Sequence, residues 1–142
     1  MSKAAVIYWS QTGNTQQMAE AVAEGIQNAG GEVNLCQVSD ITPEAAAGYS
    51  RLALGCPAMG AEVLEEAEFA PFFESLQGSL GGKRVALFGS YGWGDGEWMR
   101  NWQEDVTASG AELVNGEGLI ANNEPDEEAL DACRALGAAL MA

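Results

Sequence analysis

An α/β fold, a three-layer αβα sandwich around a five-stranded parallel sheet in the order 2-1-3-4-5, is predicted by three observations. Short apolar runs alternate with amphipathic segments along the chain; those runs are unbroken, as in strands covered on both faces; and three of them open into polar, glycine-bearing loops. Strands alternating with helices imply right-handed crossovers, with helices on either side of the sheet. In an open parallel sheet a ligand sits outside the carboxyl ends of the strands, so the loops Ser10 to Thr15, Met59 to Glu62 and Ser90 to Gly96 outline one mouth.

The first strand is Lys3 to Trp9, where Ala4-Ala5-Val6-Ile7-Tyr8-Trp9 is apolar throughout. Ser10 to Thr15 interrupts it and a helix follows, because Met18, Val22, Ile26 and Ala29 recur at helical spacing until Gly30-Gly31 stops them. Glu32 to Val38 is the second strand; Ser39-Asp40 then turns the chain and Thr42-Pro43 caps a short helix. Arg51 to Cys56 is the third strand. From Glu65 to Leu80 the positions Phe69, Phe72, Phe73 and Leu76 mark a helix with Pro71 in its first turn, ended by Gly81-Gly82. Lys83 to Gly89 is the fourth strand, and Trp98, Trp102 and Val106 at i, i+4, i+8 give the next helix its packing face. Ala111 to Val114 and Gly118 to Ala121 form a fifth strand interrupted by Asn115-Gly116-Glu117. Pro125 and Asp126 start a last helix with the stripe Leu130, Cys133, Gly137, Leu140. With no repeat, linker or low-complexity stretch, residues 1–142 are expected to form one domain.

Composition removes whole classes of function. There is no histidine, so Ser-His-Asp and Cys-His catalysis and the commoner zinc sites cannot be built, and neither catalytic residues nor a metal site are expected. Cys36, Cys56 and Cys133 lack CxxC spacing and are odd in number, which fits reduced thiols in apolar packing. No apolar run approaches the ~20 residues of a spanning helix, and the N-terminus shows no export signal, so the cytoplasm is the expected location. The 21 acidic against 6 basic residues give a formal net charge of -15 and a pI near 4.1. Nucleic acid is excluded as a partner by that charge, which instead favours proteins with basic docking patches.

Ser10, Gln11, Thr12, Gly13, Asn14 and Thr15 place hydroxyls and amides where a strand meets a helix N-terminus. Free N–H groups and the positive end of the helix dipole make that junction an anion site, and Gly13 lets the backbone approach closely. None of Lys3, Arg51, Lys83, Arg84, Arg100 and Arg134 falls within it, so a phosphate is expected to be held without a cation. The patterns G-x-x-x-x-G-K-[ST] and G-x-G-x-x-G are absent, which disfavours a triphosphatase or a dinucleotide site and leaves a mononucleotide.

Thr12-Gly13-Asn14-Thr15, together with Gly55-Cys56-Pro57-Ala58-Met59-Gly60 and Phe88-Gly89-Ser90-Tyr91-Gly92-Trp93-Gly94-Asp95-Gly96, resembles the flavodoxins, most of all the short-chain type of anaerobic bacteria. The resemblance runs over essentially the whole chain and includes Asn123-Glu124-Pro125-Asp126. It implies a flavodoxin-like fold, non-covalently bound FMN, and a monomeric low-potential one-electron carrier that shuttles between semiquinone and hydroquinone to connect redox proteins. Carried onto this chain, it puts the FMN phosphate on Ser10 to Thr15 and the ring in the loops Pro57, Ala58, Met59, Gly60, Ala61, Glu62 and Ser90, Tyr91, Gly92, Trp93, Gly94, Asp95. Met59 and Trp93 would cover the two ring faces, as suits a thioether and an indole. Glu62 would meet the pyrimidine edge. Gly60, with positive φ in a Met59 to Glu62 turn, would swing its carbonyl toward flavin N5. Glu62, Glu65, Glu66, Glu68 and Asp95 would form an acidic rim that lowers the second potential and steers partners. Ala61 and Gln11 depart from residues common in the family.

Three rivals are weaker. A quinone reductase on this fold needs added loops or a dimer face for which the chain has little spare sequence. A phosphoacceptor signalling domain needs paired acids where Trp9-Ser10 stand and an Asp where Cys56-Pro57 stand. A cofactor-free acidic interaction module requires that the protein fail to bind FMN.

Overall fold

Strands and helices alternate along the described residues, 3–60 and 62–142, of the computed structural model. They are β1 (Lys3–Tyr8), α1 (Asn14–Asn28), β2 (Glu32–Gln37), α2 (Pro43–Ala47), β3 (Arg51–Gly55), α3 (Phe69–Gln77), β4 (Arg84–Tyr91), α4 (Glu97–Ala108), β5 (Glu112–Leu113), β6 (Leu119–Asn122) and α5 (Glu127–Met141). All strand pairs are parallel and follow the order β2-β1-β3-β4-β5, with β6 also paired to β4. β5 pairs with Arg84 and Val85 and β6 with Phe88 to Tyr91, so the two occupy one edge position as halves of the interrupted fifth strand. The break falls at Asn115, whose φ of +63° cannot continue a strand.

Residue parity along the strands divides the core. Ala5 and Ile7, Leu52 and Leu54, Val85 and Leu87 point to the side covered by α2, α3 and α4, where Phe69, Phe72, Phe73, Trp98 and Trp102 complete one cluster. Ala4, Val6 and Tyr8, Ala53, Ala86 and Phe88 point the other way, onto Met18, Val22 and Ile26 of α1 and Cys133, Leu136 and Leu140 of α5. Neither face is wet, which is why these strands carry no polar alternation. Trp102 meets Phe69 edge-on at 5.4 Å between ring centroids, and Trp98 donates from Nε1 to the Cys56 carbonyl at 3.1 Å. That last bond ties α4 to the carboxyl end of β3, where the mouth begins.

Several boundaries differ from the sequence expectation, each for a local reason. Ser90 and Tyr91 belong to β4 rather than to the following loop, because β6 extends the ladder to them. The helix expected from Glu65 begins at Phe69; Glu68, at φ -124° and ψ -48°, lies outside it, and Glu65 caps the turn from four residues upstream. In α5 the buried stripe is Cys133, Leu136, Gly137 and Leu140, with Leu130 only half-buried. Ala29 is exposed at the end of α1, where the chain has already turned into the Gly30 stop. The capped start at Thr42-Pro43 is as expected: the Thr42 hydroxyl accepts from Ala45 N at 3.1 Å.

Candidate functional site

At the junction of β1 and α1, Gly13 takes the left-handed conformation at φ +94° and sets the start of the helix. Ser10 Oγ accepts from Gly13 N at 3.1 Å and from Gln16 N at 3.3 Å, which folds the loop back on itself. The N–H groups of Gln11, Thr12, Asn14 and Thr15 find no protein acceptor among the described residues and lie at the positive end of the α1 dipole. Thr15 is buried, and its hydroxyl lies 3.4 Å from Ser90 Oγ and accepts from Ser90 N at 3.4 Å, joining this loop to the end of β4.

A cleft of about 190 Å³ opens here, lined by Ser10, Gln11, Thr12, Asn14, Thr15, Pro57, Ala58, Met59, Ser90, Tyr91, Gly92 and Asn123. All but Asn123 were expected from the sequence; no Lys or Arg is among them. Asn123 was missed because it follows the fifth strand, outside the three loops that outlined the mouth. Its left-handed backbone, φ +57°, and the bond from its N–H to the Tyr91 carbonyl at 2.7 Å bring it over the cleft. An Asn at the end of a strand, ahead of a Pro-Asp helix start, was the available signal, since Asn tolerates that conformation.

The central loop rises from β3 beside the cleft. Met59 and Val63 exchange both backbone bonds, at 2.9 and 3.0 Å, so the turn closes one residue later than the expected Met59 to Glu62. Gly60 has φ +50°, as the turn argument required, and Glu62 has φ +55°, which it did not. Ala61 lies outside the described residues. Glu62 Oε1 accepts from Gly96 N at 3.2 Å, clasping the third loop. Gly94, at φ +89°, is where that carboxylate fits: any Cβ there would strike it. Asp95 pairs with Arg100 at 3.0 Å. Trp93 is 68% exposed, so most of its indole is left uncovered.

The acids expected at the rim divide. Glu65 is buried and bonds backbone N–H groups of Ala67, Glu68 and Phe69 at 2.8 to 2.9 Å, so it is a structural acid and not part of the rim. Burial works against its charge, but the three N–H donors outweigh burial and hold its carboxyl below the usual range. Glu68 accepts from Trp9 Nε1 at 3.2 Å, and Glu66 is exposed. Burial pushes the Cys56 thiol up to about 12, which keeps it protonated beneath the loop as a packing group. Among the described residues no group of His, Cys, Asp or Glu is set to hold a metal ion, and no helix is long and apolar enough to cross a membrane.

The donor set suits a mononucleotide: an anion cradle of N–H groups and hydroxyls, a cleft above it, then an uncovered indole, a half-buried thioether and a carboxylate. Comparison with known proteins gives the same answer. The family model described as flavodoxin matches residues 6–137. A flavodoxin of Clostridium beijerinckii is 51% identical over 126 residues, covering 89% of this chain and 91% of that protein. A flavodoxin of Megasphaera elsdenii is 41% identical over 134 residues, covering 94% and 95%. The solution structure of two-electron reduced Megasphaera elsdenii flavodoxin superposes with a TM-score of 0.88 at 40% identity, covering 96% of this chain and 97% of that one.

Proposed function

This chain belongs to the flavodoxin family, and on that premise we propose how its own residues hold FMN and serve an electron carrier. It is an FMN-binding electron-transfer protein rather than an enzyme. FMN supplies the redox chemistry, taking and giving electrons one at a time and alternating between its one-electron-reduced and fully reduced forms.

The observation that carries the site assignment is the cation-free cradle at the start of α1. Gln11, Thr12, Asn14 and Thr15 offer unpartnered N–H groups to the phosphate. Ser10 Oγ already accepts two backbone bonds, so its own proton is left to donate outward. Asn14 and Thr12 add side-chain donors at the mouth. Gly13 orients the loop, and Pro57, Ala58, Ser90, Tyr91, Gly92 and Asn123 wall the cleft above it.

Met59 and Trp93 are assigned to the two faces of the ring, and covering the exposed indole adds stacking to apolar burial. Glu62 keeps one carboxylate oxygen on Gly96 N and has the other for an N–H at the ring's pyrimidine edge. Gly60, already at positive φ, is assigned the carbonyl that meets a proton gained at N5. Added negative charge at this end meets Glu62, Asp95 and Glu97 and, among the described residues, one basic side chain, Arg100, itself paired; the chain thereby disfavours the fully reduced state and keeps the second potential low. We assign partner docking to this acidic end and a basic patch on the partner, with the protein acting as a cytoplasmic, single-domain monomer.

Anaerobic stepwise reduction of the FMN-loaded protein, followed by visible absorbance, tests the reading. The expected result is two separate one-electron steps with a long-lived coloured intermediate stage and a low second potential. Direct two-electron bleaching would contradict it.

A further inference from the structure

We propose that Arg100 is a positioning residue for the flavin, holding the loop Trp93 to Gly96 from the first turn of α4 so that Trp93 and Glu62 stand where the ring needs them. The proposal rests on the site assignment above. The loop has little stiffness of its own: Gly92, Gly94 and Gly96 separate its side chains, and Gly94 and Gly96 sit at φ +89° and +93°. Two external ties set its shape. Glu62 Oε1 takes Gly96 N at 3.2 Å from the side of the central loop. From the other side the Arg100 guanidinium grips Asp95 twice, Nη1 donating to the Asp95 carbonyl at 2.9 Å and Nη2 to its carboxylate at 3.0 Å.

The paired side chains are 57% and 77% exposed, so as a surface ion pair this contact adds little to stability. What the fork geometry adds is direction, since one planar group fixes a backbone carbonyl and a side chain together. Fixing the Asp95 carbonyl fixes the peptide that carries Gly96 N, and Gly96 N holds the Glu62 carboxylate. Arg100 also stands apart from the other cations. Lys3, Arg51, Lys83 and Arg84 lie at the amino ends of the strands, and Arg134 is engaged with Glu24 and Asp131 across α1 and α5. Among the described residues, Arg100 is therefore the basic side chain placed beside the acids at the mouth.

The test is titration of the apoprotein with FMN, followed by fluorescence, and redox titration of the loaded forms, for wild type, Arg100→Gln and Arg100→Lys. Arg100→Gln is expected to raise the FMN Kd at least threefold and to make the second potential more negative. A threefold loss confined to the fully reduced state is about 28 mV, at about 59 mV per tenfold. Arg100→Lys keeps the charge without the two-pronged grip, so the second potential should return toward wild type while the Kd stays raised. Arg100→Gln with wild-type Kd and potentials would overturn the proposal, as would Arg100→Lys with wild-type Kd, which would leave only a charge effect. Wild-type protein that fails to bind FMN would instead sink the site assignment on which the proposal stands.

Discussion

Glu65 satisfies three backbone N–H groups with one buried carboxylate and closes the chain turn that leads into α3. Removing it leaves those donors unpaired, so Glu65→Ala is expected to lower unfolding free energy by about 2–3 kcal/mol and Glu65→Gln by somewhat less. The native state prefers the ionised form, and its carboxyl lies below the usual range. In the window between the folded and unfolded pKa values the unfolded chain binds more protons, so stability rises with pH there. The contribution is complete above the unfolded value of ~4.3 and is lost as pH falls through the lower folded one. Urea melts of wild type and Glu65→Gln should thus differ by a constant amount from pH 7 to about 5, and the difference should shrink below about pH 4. A difference that persists to pH 3 would assign the role to packing instead. The sequence made Glu65 a helix residue and a rim acid because glutamate is not a favoured cap and periodicity does not register a turn that folds onto its own side chain. Thr42, a standard cap before proline, was legible.

Helices α1 and α5 cross with almost nothing between them. A Cβ on Gly137 would strike the Val22 carbonyl, and one on Gly25 would strike the Arg134 carbonyl, so two glycines let the backbones touch on the face of the sheet that carries Ala4, Val6 and Ala53. Gly137→Ala is expected to lose about 1–3 kcal/mol despite alanine's better helix propensity, because backbone cannot give way as a flexible side chain would. A lowered urea midpoint at unchanged slope would register this, and an unchanged or raised midpoint would show that the helices can separate at little cost. Gly137 was placed on the buried stripe from its spacing alone, but Gly25 carried no signal, since a close approach to another helix is a property of the pair. The far end of α5 shows the same limit. Its Leu140 carbonyl accepts from Arg51 Nε and Arg84 Nε, both at 3.2 Å, and its Ala139 carbonyl accepts from Arg84 Nη2 at 2.7 Å. These arginines complete the helix end and suit its negative dipole, yet they come from strands far away in sequence.

Parallel topology turns a composition into a direction. The mouth lies at the carboxyl ends of the strands; the segments that leave those ends carry Asp40, Glu62, Glu66, Glu68, Asp95, Glu124 and Asp126, and the first turns of α4 and α5 add Glu97, Glu127 and Glu128. Lys3, Arg51, Lys83 and Arg84 stand at the amino ends, a strand length or ~20 Å away, well beyond the roughly 8 Å screening length at physiological salt. The excess of acid was legible in the composition; its polarity was not, because it depends on every strand running the same way. Two of those cations are also occupied there: Lys83 donates to the Ala47 carbonyl at 2.7 Å, and Arg84 pairs with Glu112 at 2.7 Å. A basic partner would thus meet largely uncompensated charge at the end where Trp93 is exposed, so that attraction and orientation would coincide. The second-order rate of electron transfer from the reduced protein to a small basic haem protein is therefore expected to fall at least tenfold between about 0.01 and 0.5 M salt. Transfer to an anionic inorganic acceptor should rise over the same range, because salt then screens repulsion. Rates that ignore salt with both acceptors would mean that the acidic end serves solubility and that docking rests on the apolar contact at Trp93 alone.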